Sequence, residues 1–74
     1  MIADPQREAL FTGWLQEHCG IVHKIVRAYA REPADQADLH QEILLQLWRS
    51  LPAFRDEAKP STWIYRVSLN TALT

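Results

Sequence analysis

The sequence predicts an all-α fold, a small bundle of three to four helices, and three observations carry that prediction. Apolar residues recur at helical spacing through most of the chain, and prolines stand where helices begin or break. No stretch alternates apolar and polar residues as a half-buried strand does. At 74 residues the chain has room for one domain, near the size at which a single core is only marginally stabilising. With 47% hydrophobic residues and three Trp, it has the material to bury a real core.

The first element starts at Asp4-Pro5, a capping carboxylate followed by proline at the first helical position, where its missing N–H costs nothing. Leu10, Phe11, Trp14, Leu15, Ile21, Val22, Ile25, Val26 and Tyr29 then fall within a half-turn of one face. Because the phase holds across Gly20, the reading favours one long helix from about Pro5 to Arg31, bent at the glycine. Two shorter helices are the alternative, since Gly in a helix interior costs roughly 1 kcal/mol against Ala. Glu32-Pro33 ends the element, as a residue before proline is pushed out of helical geometry.

The second element runs from about Ala34 to Leu51. Leu39, Ile43, Leu44, Leu47 and Leu51 share one side, while Asp38, Gln41, Glu42, Gln46 and Arg49 share the other. Leu45 lies among these polar residues and Trp48 at their border, beside Gln41. A surface helix ordinarily turns a polar back to water, so this face is a candidate docking surface. Single exposed leucines are also ordinary on soluble proteins.

From Pro52 to Lys59 the chain has no period and holds charges of both signs around Phe54, reading as a loop pinned by that ring. Pro60 suits a first helical turn, and Ser61 to Leu73 forms the last helix. That helix shows two apolar stripes, Trp63, Ile64 and Val67 on one side and Tyr65, Leu69, Ala72 and Leu73 on the other, with Arg66 and Asn70 on a ridge between. A helix apolar on two sides is sandwiched within a protein or completed by a partner. Exposing Leu69 and Leu73 together is costly, so this helix is a candidate for self-association. The pattern is still running at Thr74, and the chain is expected to be a piece of something longer.

Eight basic against nine acidic residues leave a formal net charge of −1, which argues against an independent grip on duplex DNA through many phosphates. One cysteine, Cys19, excludes an intramolecular disulfide and fits a reducing cytosol. No segment reads as a membrane span or signal peptide, so a soluble cytoplasmic protein is expected. Cys19 and His23 are spaced for one helical face, with His18 adjacent, but His40 belongs to another helix. A partly buried His18 with solvated His23 and His40 is the preferred reading, with no metal and no cofactor. Asp38 and Glu42 lie one turn apart with no nucleophile or base converging on them, so no catalysis is expected. Their ordinary role is solvation, with Glu42 pairing loosely with Arg49 or Gln46, and a functional role would be hydrogen bonding to Arg or Lys on a partner. Lys59, Trp63, Tyr65 and Arg66 combine cations with aromatic rings, the mixture that single-stranded nucleic acid uses, although a Trp in so small a domain is more often core.

Asp38-Leu39-x-Gln41-Glu42, then Leu47-Trp48-Arg49-Ser50-Leu51-Pro52, then Phe54-Arg55 and Ser61-Thr62-Trp63-Ile64-Tyr65-Arg66-Val67 followed by Asn70, resembles region 2 of bacterial sigma factors. The likeness is closest to the extracytoplasmic-function group and runs from about Phe11 to the end. It implies an all-helical, non-enzymatic transcription initiation module that binds the β′ clamp helices of RNA polymerase core through Asp38, Gln41 and Glu42. Leu45 and Trp48 lie on that same surface. It further implies recognition and melting of the promoter minus-ten element through capture of the single-stranded non-template strand. Arg55, Lys59, Ser61, Thr62, Trp63, Arg66 and Asn70 are the DNA-binding candidates. An anti-sigma factor is a further candidate partner. The family commonly carries Ala-Arg-Asn where this chain has Ser68-Leu69-Asn70, so one basic residue of the DNA-facing helix is missing. The alternative is a protein-binding helical module without independent DNA recognition.

Overall fold

A computed structural model describes residues 5–54 and 59–74 of the chain. In order, the elements are α1 (Pro5–Glu17), α2 (Cys19–Tyr29), α3 (Pro33–Ser50), a 3-10 turn (Leu51–Ala53) and α4 (Pro60–Leu73). Among the described residues there is no strand, as the sequence predicts. No helix among them is long and apolar enough to cross a membrane.

Both α3 and α4 begin on a proline whose predecessor is extended, Glu32 at φ −81°, ψ 143° and Lys59 at φ −72°, ψ 142°. Neither predecessor caps its helix with a side chain. The proline removes one unsatisfied N–H instead, and the backbone ladder opens with Gln36 N–H to Glu32 O at 2.9 Å and Trp63 N–H to Lys59 O at 3.1 Å. At the end of α2, Ala30 leaves helical geometry. Its carbonyl accepts a hydrogen bond from Gln36 Nε2 at 3.0 Å, which ties the α2–α3 corner. Asp4, the expected cap of α1, lies outside the described residues.

The core is built by α2, α3 and α4, each packed against the other two. Val22, Ile25 and Val26 come from α2, Ile43 and Leu47 from α3, and Ile64 from α4. Ile43 and Leu47 are wholly inaccessible. α1 contributes no fully buried residue, although Phe11, Trp14 and Leu15 pack against the core's edge.

Three expectations need correction. The single long helix is two helices, and the interruption falls at His18 (φ −117°, ψ 22°), whereas Gly20 lies inside α2. Hydrogen bonds bridge the break, from His18 N–H to Trp14 O at 2.9 Å and from Ile21 N–H to His18 O at 3.0 Å, so the apolar phase survives it. Second, Leu10 and Tyr29, on the predicted core face, are each half exposed at the outer ends of that stripe. Third, the two stripes of α4 are one broad buried face. Ser68 lies at its centre, with Ile64, Val67, Thr71 and Ala72 around it, while Tyr65 and Leu73 stay exposed.

Candidate functional site

The outward face of α3 exists because its inward face is committed. Ile43 and Leu47 occupy the core, and the 3.6-residue period then turns Asp38, Gln41, Glu42, Leu45 and Arg49 to solvent. Leu45 is 41% exposed amid these polar neighbours. Gln46 Nε2 donates to Glu42 Oε1 at 3.0 Å, orienting that carboxylate oxygen along the helix. Trp48, half buried at the border, is engaged on its ring. Phe11 meets it edge-on at 5.2 Å, and the Arg7 guanidinium lies 5.6 Å from its centroid. These two residues of α1 were absent from the sequence-derived site, although Arg7, Phe11 and Trp14 have the i, i+4, i+7 spacing of one helix face.

On α4, Thr62, Arg66 and Asn70 are exposed one turn apart along a single ridge. Lys59 is exposed at the helix start, and Ser61 is half buried beside it. Arg55 lies outside the described residues. Trp63 is half buried in a cluster of three rings, 5.8 Å from Trp14 and 5.1 Å from Phe54, while Trp14 and Phe54 are 4.9 Å apart. Phe54 therefore does pin the chain as it leaves the 3-10 turn, and the ring of Trp63 is already shared within the protein.

A groove of about 380 Å³ runs between α3 and α4, with Glu42, Gln46 and Ser50 on one wall and Asn70, Thr71 and Thr74 on the other. It brings Glu42 and Asn70, drawn from two separate motifs, to one surface. No spacing along the chain signals this, since it depends on how two helices cross.

The histidines are arranged differently from the expectation. His23 is exposed as expected, but His40 is half buried and its ring stands 5.5 Å from that of His23, tilted by 35°. Both rings line a second groove, separate from that between α3 and α4, together with Cys19, Leu15, Val22 and Leu44. Among the described residues no group of three or more His, Cys, Asp or Glu is placed to hold a metal ion.

Comparison with known proteins finds that the family model Sigma-70 region 2 matches residues 14–74. The chain is 35% identical over 52 residues to the ECF RNA polymerase sigma-E factor of Escherichia coli K12, covering 68% of this chain and 27% of that protein. The sigma-E factor of Salmonella typhimurium LT2 matches over the same extent at the same identity. The ECF RNA polymerase sigma factor SigG of Mycobacterium tuberculosis H37Rv is 40% identical over 40 residues, covering 54% of this chain and 11% of SigG. The chain thus spans about a quarter of the length of the sigma-E relatives. No solved structure matches it.

Proposed function

This chain belongs to the Sigma-70 region 2 family, and on that premise we propose that it acts in bacterial transcription initiation by binding RNA polymerase core and capturing opened promoter DNA. Its polymerase-binding face is Asp38, Gln41, Glu42, Leu45 and Trp48, set against the β′ clamp helices. What carries the reading is the division of α3, with the motif residues exposed on one side and Ile43 and Leu47 wholly buried on the other. The motif is therefore free to be read from outside. The carboxylates of Asp38 and Glu42 accept charge-assisted hydrogen bonds from basic residues, and Leu45, about one turn beyond Glu42 on the same face, supplies an apolar anchor.

The DNA side comprises Arg55, Lys59, Ser61, Thr62, Trp63, Arg66 and Asn70. Cations, Arg66 among them, follow the phosphates of the non-template strand, and the polar side chains of Thr62 and Asn70 on the same ridge read unpaired minus-ten bases. No bond is made or broken. Contacts that exist only with unpaired bases shift the duplex equilibrium towards melted DNA, and each stacked base contributes about 1 to 3 kcal/mol. The protein works in the cytoplasm, where polymerase is, and an anti-sigma factor covering the α3 face would hold it inactive.

The test is binding to an isolated β′ clamp-helix fragment by wild type, Gln41→Ala and Glu42→Lys, each first shown to be helical by circular dichroism. Saturable binding by wild type that both substitutions weaken at least tenfold is expected. Equal binding by all three would remove the face from α3.

A second reading, a protein-binding module without independent DNA recognition, is favoured by the charge balance of −1 and by Leu69 standing where the family commonly has Arg. It predicts polymerase binding with no preference for single-stranded minus-ten DNA.

A further inference from the structure

α1 buries no residue fully, yet it touches both proposed surfaces. Phe11 stands edge-on to Trp48 at 5.2 Å. Trp14, three residues further and so on the same side of the helix, contacts Phe54 at 4.9 Å and Trp63 at 5.8 Å. Trp48 borders the polymerase-binding face of α3. Trp63 opens the DNA-facing helix, and Phe54 is the residue from which the segment carrying Arg55 departs. Two neighbouring rings of one helix thus end on rings of two different sites.

We infer that Phe11 and Trp14 are positioning residues, Phe11 orienting Trp48 for polymerase and Trp14 orienting Phe54 and Trp63 for capture of unpaired bases. The inference rests on the proposed assignment of those two surfaces. An indole at a helix surface has several rotamers open to it, and a ring packed edge-on selects among them. The bound geometry is then present before the partner arrives, so less ordering is left for the binding step. Around Trp48 the Arg7 guanidinium, 5.6 Å from the ring centroid, adds a second restraint. Phe54 and Trp63 also meet each other at 5.1 Å, so Trp14 closes a three-ring cluster in which moving one ring moves the other two.

If these rings did nothing but hold the fold together, removing either would weaken both activities alike. Positioning predicts a crossed pattern. The experiment uses the full chain with polymerase core and a fluorescent single-stranded oligonucleotide bearing the minus-ten non-template sequence. Wild type is compared with Phe11→Leu, Trp14→Leu and Trp14→Phe, with helicity checked in each. Phe11→Leu is expected to weaken core binding about three- to tenfold, the range for one aromatic pair, while oligonucleotide capture at saturating core stays at the wild-type level. Trp14→Leu is expected to leave core affinity unchanged and weaken capture by a similar factor. Trp14→Phe, which returns a ring to that position, recovers most of the capture and keeps the test available if the leucine variant folds poorly. Parallel loss of both activities in both leucine variants, or no loss in either, overturns the inference. Failure of wild type to bind core or oligonucleotide would overturn the underlying assignment of surfaces, and the wild-type arm alone reports that.

Discussion

Ser68 lies at the centre of the buried face of α4, fully inaccessible, and its Oγ has no hydrogen-bond partner among the described residues. One turn away, Thr71 Oγ1 donates to the Val67 carbonyl at 2.8 Å, the usual way for a helical hydroxyl to be satisfied. Ser68 therefore carries a desolvation cost that Thr71 does not, of about 1 to 3 kcal/mol. Alanine also has the higher helix propensity. Ser68→Ala is expected to stabilise the domain by about 1 kcal/mol, a rise in melting temperature of about 4 to 8 °C, measured by thermal denaturation. A lower melting temperature would mean that the hydroxyl has a partner worth more than its burial costs. The same residue explains why the sequence of α4 shows two stripes where the fold has one face. A polar side chain at the middle of the face split one buried surface into two apparent stripes, whereas Ile43 and Leu47, flanked by apolar neighbours in phase, were legible as core. Leu10 and Tyr29 share the periodicity of that core but sit where no neighbouring helix covers them, a fact of packing that periodicity does not contain.

The helices differ in how much they depend on one another. α2, α3 and α4 share the buried core, while α1 is attached through half-buried rings at its edge. Elements with few buried apolar contacts open locally at small free-energy cost, so helix propensity matters more in α1 than elsewhere. Gly13 lies within α1 at an exposed position, and a Cβ built there meets nothing within 4 Å. Gly13→Ala is expected to strengthen α1 locally by about 0.5 to 1 kcal/mol. The effect should appear in native-state hydrogen exchange as slower exchange of α1 amides, with the amides around Val22–Val26 and Ile43–Leu47 unchanged. Equal slowing throughout would show that α1 opens only when the whole domain unfolds. Helix starts were legible because proline fixes both its own φ and its predecessor's conformation, as at Glu32-Pro33 and Lys59-Pro60. The interruption between α1 and α2 was not, because Gly20 makes a break inexpensive without requiring one, and the chain takes it at His18 instead.

Across the whole molecule, charge is balanced rather than pooled. A formal net charge of −1 supplies no long-range pull towards duplex DNA, so the proposed DNA contact rests on a few cations placed locally, with polymerase delivering the domain. The polar face of α3 and the motif residues of α4 were both legible as separate stretches of sequence. Their meeting in the groove between Glu42 and Asn70 was not, because it is fixed by the helix crossing. Lys59 and Arg66 are exposed on the proposed DNA side of α4, with Arg55 adding a third basic residue nearby in sequence. If each meets one phosphate of a single strand, together they contribute about −2 to the slope of log affinity against log salt, at roughly −0.7 per phosphate. Polymerase adds its own contribution, so the informative quantity is a difference between holoenzymes that differ only in this domain. Lys59→Gln and Arg66→Gln are each expected to make the slope shallower by about 0.7, measured by oligonucleotide binding across a salt series. Asn70→Ala is expected to lower affinity for the minus-ten sequence while leaving the slope as it was, since an amide reads a base edge and releases no counterion. A slope unchanged in Arg66→Gln would take Arg66 off the phosphates, and a shallower slope in Asn70→Ala would mean that the ridge positions the backbone and does not read bases.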